Sequence, residues 1–465
     1  MRHTLRTCHD GLATLRPLLL VILLLSLMPA VAHGQAAAGK VAATDATAEL
    51  KSWVKGSLGD WVSLYQELHT SPELSLHEKK TAARLAAKLG EMGYEVTTGV
   101  GGHGLVALMK NGSGPTLLLR GDMDGLPVVE QTGLPYRSQV KVIGDRGVEV
   151  GVMHACGHDV HMTNLLASAS FLASHRALWS GTLVVIGQPA EEVGRGAAMM
   201  MADGLFKRFP RPDYALALHV EPGLPAGQVG IVSGWAAANV DSVKITIHGR
   251  GGHGARPHQA NDPVVTAAHL VTALQTLVSR RVDPQAAAVV TVGALHAGTK
   301  NNVIPDSAEL LLTVRSYADD TRATLLDGIR QLAGDICRSF QCPKPPEVEV
   351  SKEYTPAVYN DPELSATAAG VFRRVLGEDA VAEIAPTMGG EDFGRYARRL
   401  KIPGLLFRLG AIEPKLMARS KKKGGPPLPS LHSSRFAPDA RRALEAGIVA
   451  TSSLVLQLLP PAQAQ

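Results

Sequence analysis

An α/β fold interrupted by a ferredoxin-like α+β unit is what this 465-residue chain predicts. Three observations lead there. Apolar strands alternate with amphipathic helices towards both ends of the chain, the pattern of a mainly parallel sheet covered on both faces. Several of those strands stop on carboxylate or imidazole residues, where α/β proteins collect ligands. Between about residues 239 and 353 the order changes to βαββαβ, which makes an α+β unit of its own.

Residues 1–32 read as a secretory signal peptide. Arg2, Arg6 and Arg16 precede an apolar run over 18–28 that is short for a bilayer span, and Ala30-Val31-Ala32 offers a small-x-small cleavage site. An uncleaved anchor is the alternative. No later segment is apolar and long enough to cross a membrane, so the mature chain is expected to work secreted or in the periplasm. An Ala-rich stretch over 33–46 reads as disordered. Helices are then expected over 48–70 and 78–92, the second ended by Gly93, and strands over 95–98, 104–109 and 116–120. The last strand runs into Gly121-Asp122-Met123-Asp124. A helix over 161–174 follows, then a buried strand over 181–187 that leads to Glu191 and Glu192, and a strand over 214–218 that delivers His219.

In the insertion the expected elements are strand 242–248, helix 262–278, strands 286–296 and 308–317, helix 321–340 and strand 347–353. The chain then returns to α/β texture, with a helix over 362–376, a loop and helix start over 387–396, a strand over 404–409 and a last helix after Pro438. The resulting domain boundaries are 1–32 for the leader, 33–238 and 354–465 for the two halves of the larger domain, and 239–353 for the insertion.

Composition excludes several classes of function. Hydrophobic residues at 45% and charged residues at 19% are those of a globular protein rather than a disordered or collagenous one. Aromatic residues at 4% and a net charge of +5 leave neither stacking platforms nor a strong field for nucleic acid. The one basic run, 419–423, lies beside Gly and Pro residues and reads as a solvated loop. Of the cysteines beyond the leader, Cys337 and Cys342 are close enough for a short-loop disulfide, although one helix through 326–340 would place them poorly.

Cys156 is the more informative cysteine. It sits in Met153-His154-Ala155-Cys156-Gly157-His158-Asp159-Val160-His161, and thiolate, imidazole and carboxylate form the ligand set of zinc and its first-row neighbours. A buried inert thiol among helix-capping groups is the plain alternative. Adjacent Glu191 and Glu192 at a buried strand end would repel one another unless a cation neutralised them; one could bind an ion while the other moves a proton. Paired glutamates on solvated helix starts are common, but the apolar run Leu183-Val184-Val185-Ile186 just upstream argues for burial. His219 and His432 are lone histidines, each by itself better read as structural.

Together these segments resemble the two-domain, dinuclear-metal aminoacylase and carboxypeptidase superfamily, in its amidohydrolase branch of hippurate hydrolases, N-acyl-amino-acid deacylases and auxin-conjugate hydrolases. The motifs are Arg120-Gly121-Asp122-Met123-Asp124-Gly125-Leu126-Pro127, the Cys156 cluster, Gln188-Pro189-Ala190-Glu191-Glu192, Gly251 to His258, Gly389-Gly390-Glu391-Asp392-Phe393 and the segment around His432. The resemblance spans residues 47–455. It implies an α/β metallohydrolase domain with an inserted lid and dimerisation domain, and two divalent ions per subunit, zinc or manganese first and cobalt or nickel next. Cys156 would bridge them, with His158, Glu192, His219 and His432 as further ligands and Glu191 as the general base that serves a metal-activated water. Asp124 would orient a ligand imidazole. Asp122 stands where other branches carry a histidine ligand, so that role is not transferred to it, and His154 and His161 are left as supporting groups. His253 would reach the partner subunit's site and stabilise an oxyanion. Asn302 and Arg315 would hold the substrate's free carboxylate.

The expected function is hydrolysis of the amide bond in an N-acyl amino acid, or in a dipeptide with a free carboxylate, by a homodimer that binds neither nucleic acid nor membrane. A non-catalytic periplasmic peptide- or metal-binding protein on the same fold is the competing reading. An aminopeptidase that recognises a free amine is the third.

Overall fold

The computed structural model describes residues 31–144 and 147–462. The expected signal peptide therefore lies almost wholly outside the described residues. The first described element is helix Val31–His69, so the Ala-rich stretch is helical where disorder was expected. Alanine has the highest helix propensity of any residue, which accounts for the difference. From Thr47 onward the chain forms one compact unit.

An eight-stranded sheet organises that unit. Its centre is parallel, in the order Gly181–Gln188, Thr116–Asp122, Tyr214–Pro225 and Gly404–Ile412. Glu95–Val100 and Gly104–Asn111 add antiparallel at one edge, and Val229–Ile231 with Val381–Glu383 complete the other. Helices cover both faces, so the central strands are apolar on both sides instead of alternating with polar residues. Leu117 and Leu119 join a core with Leu165 of helix His158–Ser174 and Leu444 of helix Ala440–Leu458. Leu118 points the opposite way, into a smaller core with Met200 and Tyr396.

Strands extend further at their C-terminal ends than the hydrophobic pattern indicates. Asp122 and Gln188 are themselves paired in the ladder. His219 lies within Tyr214–Pro225, opposite Arg408, rather than just beyond a strand. The cause is the neighbouring strand Gly404–Ile412, whose pairing continues past His219 and holds the backbone extended.

Within residues 239–353, strands Asn239–His248, Ala288–Ala297, Ser307–Ser316 and Glu347–Val350 form a separate antiparallel sheet. Across it the order is Ala288–Ala297, Ser307–Ser316, Asn239–His248, Glu347–Val350. With helices Pro263–Thr276 and Asp319–Ser339 this is the ferredoxin-like βαββαβ arrangement. Val243, Ile245 and Ile247 alternate along the first strand and bury against Leu270, Leu274 and Ile329 of the helices. Asp262 starts the first helix by accepting the Val264 N–H at 2.8 Å. Cys337 and Cys342 are both free thiols.

Candidate active site

Two tight turns carry Cys156 with His158 and Glu191 with Glu192, while His219 lies on strand Tyr214–Pro225 and His432 in the loop before the last helix. In the first, Gly157 has φ +78° and directs the chain from Cys156 into helix His158–Ser174. A Cβ on Gly157 would stand 2.6 Å from Val220 Cγ2, so only glycine fits. In the second, Ala190 is left-handed at φ +53° and places Glu191 and Glu192 after strand Gly181–Gln188.

Asp124 ties these turns together. Its Oδ1 accepts the Glu191 N–H at 3.2 Å, and its Oδ2 accepts the Glu192 N–H at 3.0 Å and the Ser75 hydroxyl at 2.6 Å. The backbone carbonyl of Asp124 accepts from His158 Nδ1 at 2.8 Å, closer than the carboxylate at 3.3 Å. Asp124 thus orients the His158 imidazole, chiefly through its carbonyl, and its carboxylate orients both glutamates.

His158 Nε2 is left facing Asp122 Oδ2 at 3.6 Å, Glu191 Oε2 at 3.8 Å and Glu192 Oε1 at 3.8 Å. That nitrogen and Glu192 Oε1 are buried without a hydrogen-bond partner. Burial opposes a charge on His158, but Asp122 and Asp124 outweigh it and hold the imidazole pKa well above its ordinary value. His219 donates Nδ1–H to the Val220 carbonyl at 2.7 Å, so its Nε2, 3.5 Å from Cys156 Sγ, carries the lone pair. His432, left-handed at φ +63°, stands 3.4 Å from Glu192 Oε2.

The residues present fit a divalent metal centre. Cys156, His158 and His219 offer ligand atoms within 4.8 Å of one another, as do Cys156, Glu192 and His432. Cys156 belongs to both groups. Burial, aided by the charge of Glu192, pushes its thiol well up, and burial moves Glu192 up to about 7. Anionic donors this reluctant to ionise, around a nitrogen that attracts positive charge, suit a cation.

Other polar groups nearby are already engaged. Asp122 accepts from His161 Nδ1 at 2.7 Å and from Arg120 Nη1 at 2.6 Å, and His161 Nε2 accepts the Val220 N–H at 2.9 Å. His161 has both ring nitrogens engaged, whereas Asp122 Oδ2 also faces His158 Nε2 at 3.6 Å, so its carboxylate borders the centre. His154 is buried and held neutral, its pKa lowered by burial to about 4. Glu191 is buried, and burial together with Glu391 and Glu192 raises its pKa well above the usual carboxylate value.

The residues of the insertion stand apart. His253 is exposed on the short strand Gly252–His253, its Nδ1 accepting from the Ala255 N–H at 3.0 Å. The Asn302 carbonyl accepts the adjacent Gly254 N–H at 2.9 Å. Arg315 reaches the Met388 carbonyl at 3.5 Å, in the loop that leads to Glu391. Among the described residues none of the three makes a hydrogen bond or ion pair with the ligand cluster.

Two buried networks went unassigned in the sequence. Arg120 pairs with Asp122, Glu391 and Asp392 beneath the site; a charge at the end of the apolar run Thr116-Leu117-Leu118-Leu119 was the available signal. His69 bridges Asp159 at 2.7 Å and Glu130 at 3.1 Å. Burial opposes its charge, but the two carboxylates prevail and raise its pKa to about 10. Stability from such a raised group is complete below about pH 6.5 and is lost as pH climbs towards 10. In denaturant unfolding, the unaltered chain should lose about 3 kcal/mol more than His69→Gln between pH 6.5 and pH 9. Equal losses would mean that the ring carries no charge.

Residues 118–421 match the family described as Peptidase family M20/M25/M40. Hippurate hydrolase of Campylobacter jejuni is 38% identical over 346 residues, which are 74% of this chain and 86% of that protein. Thermostable carboxypeptidase 2 of Saccharolobus solfataricus is 34% identical over 418 residues, 89% of this chain and 99% of the relative. A solved structure of Bacillus subtilis YXEP, titled a dinuclear metal binding peptidase from M20 family, superposes with a TM-score of 0.71 at 29% identity and covers 87% of this chain and 99% of its own.

Proposed function

The chain belongs to the M20/M25/M40 peptidase family, as a metal-dependent amidohydrolase or metallopeptidase, and we propose that it hydrolyses the amide bond of N-acyl amino acids or of dipeptides with a free carboxylate. One observation carries this reading. A buried glutamate, Glu191, lies against the cluster of metal-ligand donors, with its backbone fixed by Asp124 and its pKa raised.

Cys156, His158, Glu192, His219 and His432 would hold two divalent ions, zinc or manganese before cobalt or nickel, with Cys156 shared. When bound, such ions acidify water and polarise a carbonyl. Glu191 takes the proton from the attacking water at its free carboxylate oxygen and delivers it to the leaving nitrogen. A raised pKa suits a group that must both accept and return a proton near neutrality. Asp124 keeps Glu191 and Glu192 in fixed register with His158, so that the base does not drift from the reacting atoms.

Arg315, half-buried beside the 387–390 loop, offers a planar fork for the substrate's carboxylate; Asn302, to which the resemblance gives the same task, lies beyond the opposite end of strand Ser307–Ser316, against Gly254. His253, exposed and free of the cluster in its own chain, would serve the partner subunit's site in a homodimer. The exposed Leu295, Val303 and Leu311 of the insertion support a further contact there. The leader pattern of residues 1–32 supports secretion or a periplasmic location.

Amine release from a panel of N-acyl amino acids and dipeptides tests the reading. Release should stop on chelation and return when zinc or manganese is added back. Bound metal with no turnover on any substrate would favour the binding-protein reading instead.

A further inference from the structure

Beside Glu192 the catalytic unit opens into a groove of about 590 Å³ whose walls are apolar, among them Leu74, Leu76, Leu126, Val148 and Val193. Three of these are unusually open to solvent for large aliphatic residues: Leu76 at 37%, Val148 at 63% and Val193 at 50% exposure. Beyond Glu192, the polar side chains at the groove are Ser75, whose hydroxyl is committed to Asp124, and His77 at the exposed rim.

The position of Leu76 is held in place at a cost. Its φ is +69°, a conformation a leucine rarely adopts. The buried carboxylate of Glu78 sustains it, since Oε1 accepts the Leu76 N–H at 3.0 Å and also the N–H of left-handed Ala190 at 2.7 Å. The same loop is fixed a second time through Ser75 and Asp124, which also receives the Glu192 N–H. Two buried carboxylates therefore lock an exposed apolar side chain to the turn that carries Glu191 and Glu192. Strain retained at such a point is characteristic of a ligand contact.

Resting on the amide-hydrolysis reading, the chemistry of two separate places then suits the two halves of a substrate. The cationic fork, Arg315, lies in the insertion, whereas the groove is built from the catalytic unit and offers an acyl group contact but no counter-charge. We propose that this groove receives the acyl group of the substrate, that the preferred acyl group is apolar and considerably larger than acetyl, and that Leu76, Val148 and Val193 set the preference. The groove has the volume of a site for drug-sized ligands, and acetyl would leave most of its walls in water.

The test is a series of N-acetyl, N-butanoyl, N-hexanoyl and N-octanoyl derivatives of one amino acid. kcat/KM should rise about threefold for each methylene added, as expected for burial of a hydrocarbon chain. In Leu76→Asn, where asparagine tolerates the left-handed backbone, and in Val148→Ser, the octanoyl-to-acetyl ratio should fall about tenfold. Calorimetric titration of octanoate into metal-loaded protein provides a readout that needs no turnover. Octanoate should bind the unaltered protein and bind each variant about tenfold more weakly. A flat acyl series, or a preference that follows the amino-acid side chain instead, would overturn the proposal. So would equal octanoate affinity in all three proteins. If no amide is cleaved but octanoate binding weakens in both variants, the pocket stands and the amidase reading fails. Thermal melts of the variants establish that both are folded.

Discussion

Replacing Glu191 by glutamine should lower amine release by about 10²–10⁴-fold, the usual contribution of a positioned acid–base group, and leave the metal content unchanged. Glutamine keeps the size of the side chain and can still hydrogen-bond, but it has no basic oxygen to take a proton from water. Metal content should survive because the proposed ligands are Cys156, His158, Glu192, His219 and His432, not Glu191. Glu191 is held by its own N–H to Asp124, which the substitution leaves in place. Glu192→Gln is the informative contrast. It alters a carboxylate that faces both His158 and His432, so metal affinity and turnover should fall together. A Glu191→Gln protein that retained a tenth of its turnover, or that lost its metal, would remove Glu191 from the role of base.

How much of this site could be read from the sequence depends on the range of each interaction. The Cys156–His158 pair was legible because two residues separated by one position converge whenever the intervening residue turns the chain, and glycine is the residue that does so. Glu191 and Glu192 were legible from the apolar strand before them. The order of strands and helices in the insertion was legible from periodicity alone, and the structure builds it into one sheet. His219 was placed just beyond its strand because the sequence of one strand does not reveal how far its neighbour continues to pair. Glu78 left no signal at all. At the start of a helix an acidic residue reads as a solvated end group, and only the fold brings it to Ala190, far along the chain. The pairing of Arg120 with Glu391 is equally non-local. Each residue lay inside a motif, but no local pattern states that the two motifs meet.

That pairing yields the largest expected effect on stability. Arg120→Met should destabilise the protein by about 3–5 kcal/mol, the cost of leaving buried charges without their partner. The guanidinium is fully enclosed, with Nη1 at 2.6 Å from Asp122, Nη2 at 2.8 Å from Glu391 and 3.3 Å from Asp392, and Nε at 3.0 Å from Gln188. Burial opposes ionisation of Asp122 and of Asp392. For Asp122, Arg120 and His158 overcome it and hold the pKa well below normal. For Asp392, burial prevails and moves the pKa up to about 7 even with the arginine present. Methionine would fill much of the volume but leave three carboxylates facing one another, with Glu191 close to two of them. Some would have to bind protons, and the backbone of the Glu391 loop would lose its anchor. Arg120→Lys should recover part of the loss, because an ammonium keeps the charge but cannot grip three carboxylates with a planar fork. The double variant Arg120→Met with Glu391→Gln should cost less than the sum of the two single changes, since each removes the other's unpaired partner. Denaturant midpoints of the unaltered chain and the four variants, Glu391→Gln among them, measure these differences. If Arg120→Met unfolds within 1 kcal/mol of the unaltered chain, the network is not a structural support and its conspicuous burial needs another cause. If the loss is as large as expected, the charge that steadies the floor of the site also keeps Glu391 and Asp392 occupied, as the proposed role of Glu191 as base requires.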